Sequence, residues 1–382
     1  MLPKISKMNL DMLIWAREQS IGDMRELDTE YAEQISKWEK GIEFPNYPEL
    51  KELARLYRKP LAIFFFPEPP EIKNIKSSYR TYQGDIYNLL SINTIRMVDY
   101  CRFMQLNLID LYGGENPNIQ SFRFLKSQNL SGKEIRKYLD FPIEKQKAIK
   151  SSQEMFNIWR DALYSIGIYV FKQAFKDESV SGLCLDDENF PLILINNSTS
   201  LNRQIFTLFH ELCHLLHGTS GLDLRSDESM TSNFSENGLE IEYACNQFAA
   251  DFLVPDEAFL NSLKGKTVDY NLICNLAQSY NVSREVINRK LHDLEFIPFA
   301  VYEQNVTIFY HDYFRTKDTN AEDDRGGNYY NTQSTYLGKQ YLSQVYTRYY
   351  TKQITIEKLS RYLNMTIANA SNLADKKGWG SL

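Results

Sequence analysis

The sequence predicts an α+β fold, mostly helical, with a small and partly antiparallel sheet beside one chemically distinctive helix. Three observations predict it. Helical periodicity recurs along most of the chain, for example Leu50, Leu53, Ala54 and Tyr57 at i, i+3, i+4, i+7. Two β-rich runs, Gly167-Ile168-Tyr169-Val170-Phe171 and Pro191-Leu192-Ile193-Leu194-Ile195, are bounded by Gly, Asp, Asn and Pro. An apolar helical run holding three histidines then follows, at about 200–217.

Composition sets the outer limits. Across 382 residues, 43% hydrophobic and 24% charged side chains exclude wholesale disorder. The net charge of -6 excludes a chain coated in basic groups, while leaving room for a local basic patch. No apolar run approaches the ~20 residues of a membrane span, since the stretch Leu61 to Phe66 stops at Pro67. The N-terminus lacks the charged, apolar and small-residue order of a signal peptide. Five scattered cysteines without a C-x-x-C pattern suit reduced thiols in a cytoplasmic protein.

Taken in order, residues 1–70 read as short helices, with Pro45 and Pro48 opening one of them and Pro60 closing it. Pro67, Pro69 and Pro70 mark a boundary. Residues 71–154 read as a helical connector broken at Gly113 to Pro117, without evident chemistry. Residues 155–298 hold the two β runs, helices near 200–217 and 239–253, and a helical pair over about 268–293. Residues 299–382 read as a mixed extension, with an acidic Gly-containing loop (Glu322 to Asn328) and Tyr-rich helices.

The chemistry centres on His210-Glu211-Leu212-Cys213-His214. Residues four apart share a helix face, so both imidazoles reach one cation, and Glu211 is placed to take a proton from water. Zinc suits imidazole and carboxylate ligands and keeps a fourth position open. Ser200 is the expected N-cap, and Gly218 the expected stop. A third ligand is needed. One known pattern supplies it with a Gly three and a His six residues after the second histidine, but those positions hold His217 and Ser220. His217 remains a rival ligand one turn on. The stronger candidate is Glu242, which borders the stripe Ile241, Cys245, Phe248, Phe252, whereas Glu240 shares a solvated face with Gln247 and Asp251. A carboxylate beside a core needs a partner or a metal, and Asn246, one turn on, is placed to support the site by hydrogen bonding. Arg203 is a candidate for substrate binding or ion pairing, and Tyr243 for oxyanion stabilisation.

These motifs resemble a known family. Arg203, Phe206-Thr207, His210-Glu211-x-x-His214 and the downstream Glu242-x-x-x-Asn246-x-Phe248-Ala249-Ala250-x-x-Leu253-Val254-Pro255 look like the ImmA/IrrE metallopeptidase signature, and Gly182-x-x-Leu185 with the strand from Pro191 matches its lead-in. The resemblance implies a cytoplasmic, Zn²⁺-dependent endopeptidase with a zincin-like core. It implies Glu242 as third ligand, His217 as a non-ligating companion, and a helix-turn-helix transcriptional repressor as the protein substrate, in a stress, phage or mobile-element circuit. Leu13-x-x-Ala16-Arg17, Ile35-Ser36-x-Trp38-Glu39-x-Gly41, Pro45, Leu50, Leu53-Ala54 and Tyr57 resemble a Cro/C1-type (XRE) helix-turn-helix, although Glu26 to Glu30 replace its usual Gly-containing turn. With ten Lys/Arg against twelve Asp/Glu in residues 1–70, two readings stay open there: DNA contact, or a degenerate module that packs or dimerises. The alternative for the whole chain is a DNA-binding regulator or antitoxin-like protein whose peptidase fold acts as a sensor. The stretch Leu276-Ala277 to Leu291 has helix-turn-helix spacing too, and reads as two helices closing the core.

Overall fold

The apolar positions near the N-terminus meet in one small core. The computed structural model describes residues 4, 8–18, 29–57, 64–65, 91–177, 179–219, 222–224, 236–320 and 328–377. Helices α1 (Leu10–Glu18), α2 (Thr29–Glu39) and α3 (Tyr47–Leu56) bury Leu13, Ala16, Ile35, Trp38, Leu50, Leu53, Ala54 and Tyr57 together. Arg17 Nε donates to Glu39 at 2.6 Å, joining α1 to α2. Residues 26–28 of the unusual turn, Pro60, and the prolines at 67–70 lie outside the described residues. These helices belong to one compact unit, Met1–Ile95, and Arg96–Leu382 form a second.

In the second unit, α4 (Ile92–Tyr112, all but its first turn), α5 (Ile119–Gln128), α6 (Gly132–Tyr138) and α7 (Ile143–Ala148) lead into α8 (Ser152–Ser165). Gly113 and Gly114, both at positive φ, break the chain between α4 and α5, where the sequence places a turn. From Ile119 onward, the described part of the segment expected as a connector contributes to the core. Ile119, Phe122, Leu125, Ile135 and Phe141 are buried in the same cluster as Trp159, Phe209 and Phe252.

The sheet among the described residues has four strands, β1 (Tyr169–Gln173), β2 (Val180–Leu185), β3 (Leu192–Asn196) and β4 (Leu222–Leu224), in the order β1-β3-β2-β4. β1 pairs parallel with β3, while β2 runs antiparallel to both β3 and β4. The β2–β3 reversal is held by Asp187 Oδ1, which accepts from the backbone N–H of Asn189 and Phe190. Val170, Cys184, Ile193 and Ile195 join the core shared with α8, and Phe171 meets Tyr341 edge-on at 5.1 Å. Burial on both faces explains why β1 and β3 read as continuous apolar runs rather than alternating ones.

Helix α9 (Leu201–Leu216) starts at Ser200, whose side chain accepts from Arg203 N–H. Helix α10 (Glu236–Leu253) packs against it through Phe209 and Phe252, stacked at 3.8 Å, with Trp159 edge-on to each at 5.1 Å. Helices α11 (Asp256–Leu263), α12 (Tyr270–Tyr280) and α13 (Arg284–Asp293) close this core, burying Leu276, Tyr280, Ile287 and Leu291. In the extension expected to be mixed, the regular elements among the described residues are all helices: α14 (Phe299–Asn320), α15 (Tyr329–Leu337), α16 (Lys339–Tyr350), α17 (Ile356–Leu363) and α18 (Ile367–Lys377). The acidic loop of 321–327 lies outside the described residues.

Candidate metal centre

The i, i+4 spacing on α9 sets His210 and His214 on one face with their Nε2 atoms 3.1 Å apart. From α10, Glu242 brings Oε2 to 3.1 Å from His210 Nε2 and Oε1 to 3.3 Å from His214 Nε2. Among the described residues these three side chains form the one His/Cys/Asp/Glu group close enough to share a cation. Both rings are buried, and the Glu242 side chain is 19% exposed.

The outer nitrogens fix the tautomers. His214 Nδ1 lies 3.2 Å from Thr219 Oγ1, which donates its only hydrogen to the His214 carbonyl at 3.0 Å. Thr219 therefore accepts at Nδ1, and Nδ1 carries the ring proton. Asn246 Oδ1, 3.1 Å from His210 Nδ1, accepts there in the same way. Both Nε2 atoms then present lone pairs toward a carboxylate, so three acceptors converge.

This donor set fits a divalent ion. A tetrahedral centre with bonds of about 2.0–2.1 Å separates its ligand atoms by about 3.3 Å. The observed separations of 3.1–3.3 Å match that edge. Two neutral imidazoles and one carboxylate also leave a net positive site for a dication, with a fourth corner open.

Glu211 is completely buried beside His210. His217 is the exposed C-cap residue of α9 and is not part of the cluster. Arg203 Nε donates to Ser181 Oγ at 3.1 Å, linking α9 to β2. Tyr243 is 60% exposed, next to Glu242 but outside the cluster. Thr219 is the residue the sequence reading lacks. Its signal is Gly218, at φ +70°, which ends α9 in a Schellman turn: Thr219 N–H donates to His214 O and Gly218 N–H to Leu215 O. That turn folds Thr219 back over the second histidine.

Residues 164–292 match the family model described as Peptidase_M78, IrrE N-terminal-like domain. The match spans β1 to α13, contains every member of the cluster, and supports an ImmA/IrrE-type metallopeptidase in general. A comparison with curated proteins finds no match. No described helix is long and apolar enough to cross a membrane.

Proposed function

We propose that the chain is a zinc-dependent endopeptidase of the ImmA/IrrE type whose substrate is a helix-turn-helix transcriptional repressor. The observation that carries this reading is the convergence of the two Nε2 atoms and the Glu242 carboxylate at tetrahedral spacing, inside a segment that matches a metallopeptidase family. His210, His214 and Glu242 would hold Zn²⁺. Bound there, the ion supplies a Lewis acid that polarises a scissile carbonyl and makes water a nucleophile near neutral pH.

The chain's own groups do the rest. Asn246 and Thr219 hold the rings in the Nδ1–H tautomer, so neither turns away from the centre. Glu211 takes the proton from the attacking water and passes it to the leaving amine as the peptide C–N bond breaks. Arg203, held at Ser181 two turns N-terminal of His210, is a candidate contact for the substrate chain.

Glu211→Gln is the direct test of this chemistry. It keeps the shape and hydrogen-bonding capacity of the side chain but removes the base. Zinc content should stay at the wild-type level, and cleavage of a co-expressed repressor should fall by about a thousandfold, within the range that a positioned general base contributes. A Glu211→Gln protein that cuts the same substrate at the wild-type rate would refute the assignment.

A further inference from the structure

Two helix pairs in the second unit are built on the same local register. In each, an Asn in the left-handed conformation starts a three-residue turn: Asn281 (φ 53°, ψ 42°) after α12 and Asn364 (φ 52°, ψ 45°) after α17. Counting from that Asn, buried apolar residues sit at −5, −1, +1 and +6 in both, as Leu276, Tyr280, Val282, Ile287 and as Leu359, Leu363, Met365, Ala370. Position +2 is the hydroxyl residue that starts the next helix. Ser283 Oγ accepts from Val286 N–H, and Thr366 Oγ1 accepts from Asn369 N–H. Two helices joined by such a short turn form the helix-turn-helix unit.

The two pairs differ in what covers the second helix. On α13, Lys290 is buried between Asp251 and Asp256, Arg284 pairs with Asp312 of α14, and Asn288 donates to the Tyr302 carbonyl of α14. That helix is committed to the core. On α18 the inner face is held by Leu373 and Ala370, whose carbonyl accepts from Tyr346, and Tyr330 lies along the edge of the helix, touching Asn369 and the exposed Asn372 and Lys376. Its outer face stays exposed: Ile367, Ala368, Ser371, Asn372 and Asp375. Charge singles out the same end of the chain. Residues 339–382 carry seven Lys/Arg (339, 348, 352, 358, 361, 376, 377) against two Asp/Glu (357, 375), a net +5 within a chain of net -6. Lys358 and Arg361 are used on Asp110, while Lys352, just before α17, and Lys376 are exposed.

We infer that α17 and α18 form a helix-turn-helix that binds duplex DNA, with α18 as the helix entering the major groove. Small, uncharged residues at its start let the backbone approach the base edges. Ser371 and Asn372 offer hydrogen bonds to bases, while Ile367 and Ala368 offer apolar contact to thymine methyls. Lys352 and Lys376 supply the phosphate contacts that set the salt dependence. This inference is independent of the metal centre and of residues 1–70.

The test is fluorescence anisotropy of the full-length chain with a labelled random-sequence duplex of about 30 bp, at ~50 and ~200 mM salt. Wild type should bind in the micromolar range at low salt and weaken as salt rises. Ser371→Glu with Ala368→Glu, both on the exposed face, should weaken binding at least about tenfold with an unchanged melting temperature. Lys376→Glu, the second variant, should weaken it and flatten the salt slope. Lys37→Glu, exposed on α2, should bind as wild type. Absence of duplex binding by wild type overturns the inference, as does binding lost in Lys37→Glu but kept in the α18 variants. A fall in sedimentation mass for the α18 variants, with no protein binding the duplex, also overturns it and marks the face as a contact between chains.

Discussion

Thr219 reaches His214 because α9 ends at Gly218. A positive φ there costs glycine nothing, and the Schellman turn it permits returns the chain over the last helical turn. Hydrogen-bond partners of metal-bound histidines typically carry 10–100-fold of metal affinity. Thr219→Val keeps the branched shape and removes the acceptor at His214 Nδ1, so zinc affinity in a chelator competition should fall about 10–100-fold, with Thr219→Ser close to wild type. Equal affinities for Val and wild type would leave Thr219 without a positioning role. At this scale the sequence is informative where spacing on a single helix decides the outcome. His210, Glu211 and His214 are read from a motif, and Glu242 from its place beside an apolar stripe. Thr219 and the Ser181 partner of Arg203 are not, because a turn and a strand crossing bring them in.

The two helices of the centre must keep one register, and several elements enforce it. Phe209, Phe252 and Trp159 lock the middle of α8 and α9 against the C-terminal end of α10. Arg136 donates to the Phe252 carbonyl and Gln146 to the Leu253 carbonyl, satisfying the end of α10. Both come from the segment expected to be a mere connector. Amphipathic spacing shows that α6 and α7 bury a face, but not which element they bury it against. The closest approach is at Gly132, where a Cβ would lie 2.4 Å from the Phe248 carbonyl and 2.9 Å from Phe252 N. Alanine is the better helix former by about 1 kcal/mol, yet Gly132→Ala should destabilise by about 1–3 kcal/mol in urea unfolding, because the contact is with backbone that cannot yield. A stabilised variant would mean that α6 is free to move off α10. Strand β2 shows another limit of periodicity. Ser181-Gly182 breaks the apolar run, and Gly182 is needed where a Cβ would sit 2.5 Å from Thr207 Cγ2 of α9.

Across the whole molecule, charge placement governs how stability responds to pH. Lys172 on β1 is fully buried, its ammonium position 3.5 Å from the centre of the Phe156 ring. Burial, followed by the nearby Arg160 charge, pushes its pKa down to about 6. Between that value and the unfolded one near 10.4, the unfolded chain binds the extra proton, so this residue makes stability rise with pH from about 6 to about 10. Lys172→Met should be more stable at pH 7, on the order of a few kcal/mol, and should show a flatter pH profile across that window. A variant with the wild-type profile would place the titration elsewhere. The helical bulk and the β runs at β1 and β3 are legible in the sequence, because local period and composition encode them. The order β1-β3-β2-β4 and the joining of 119–148 to the core are not, because pairing across long sequence separations leaves no local mark.

Zinc content, measured by elemental analysis on wild type and Glu242→Ala purified side by side, tests the centre most directly. Wild type should carry about one ion per chain, and removal of the α10 carboxylate should leave well under half of that after dialysis. A wild-type protein that holds no divalent metal after loading, or a Glu242→Ala protein that retains it as fully as wild type, would contradict a site built from His210, His214 and Glu242.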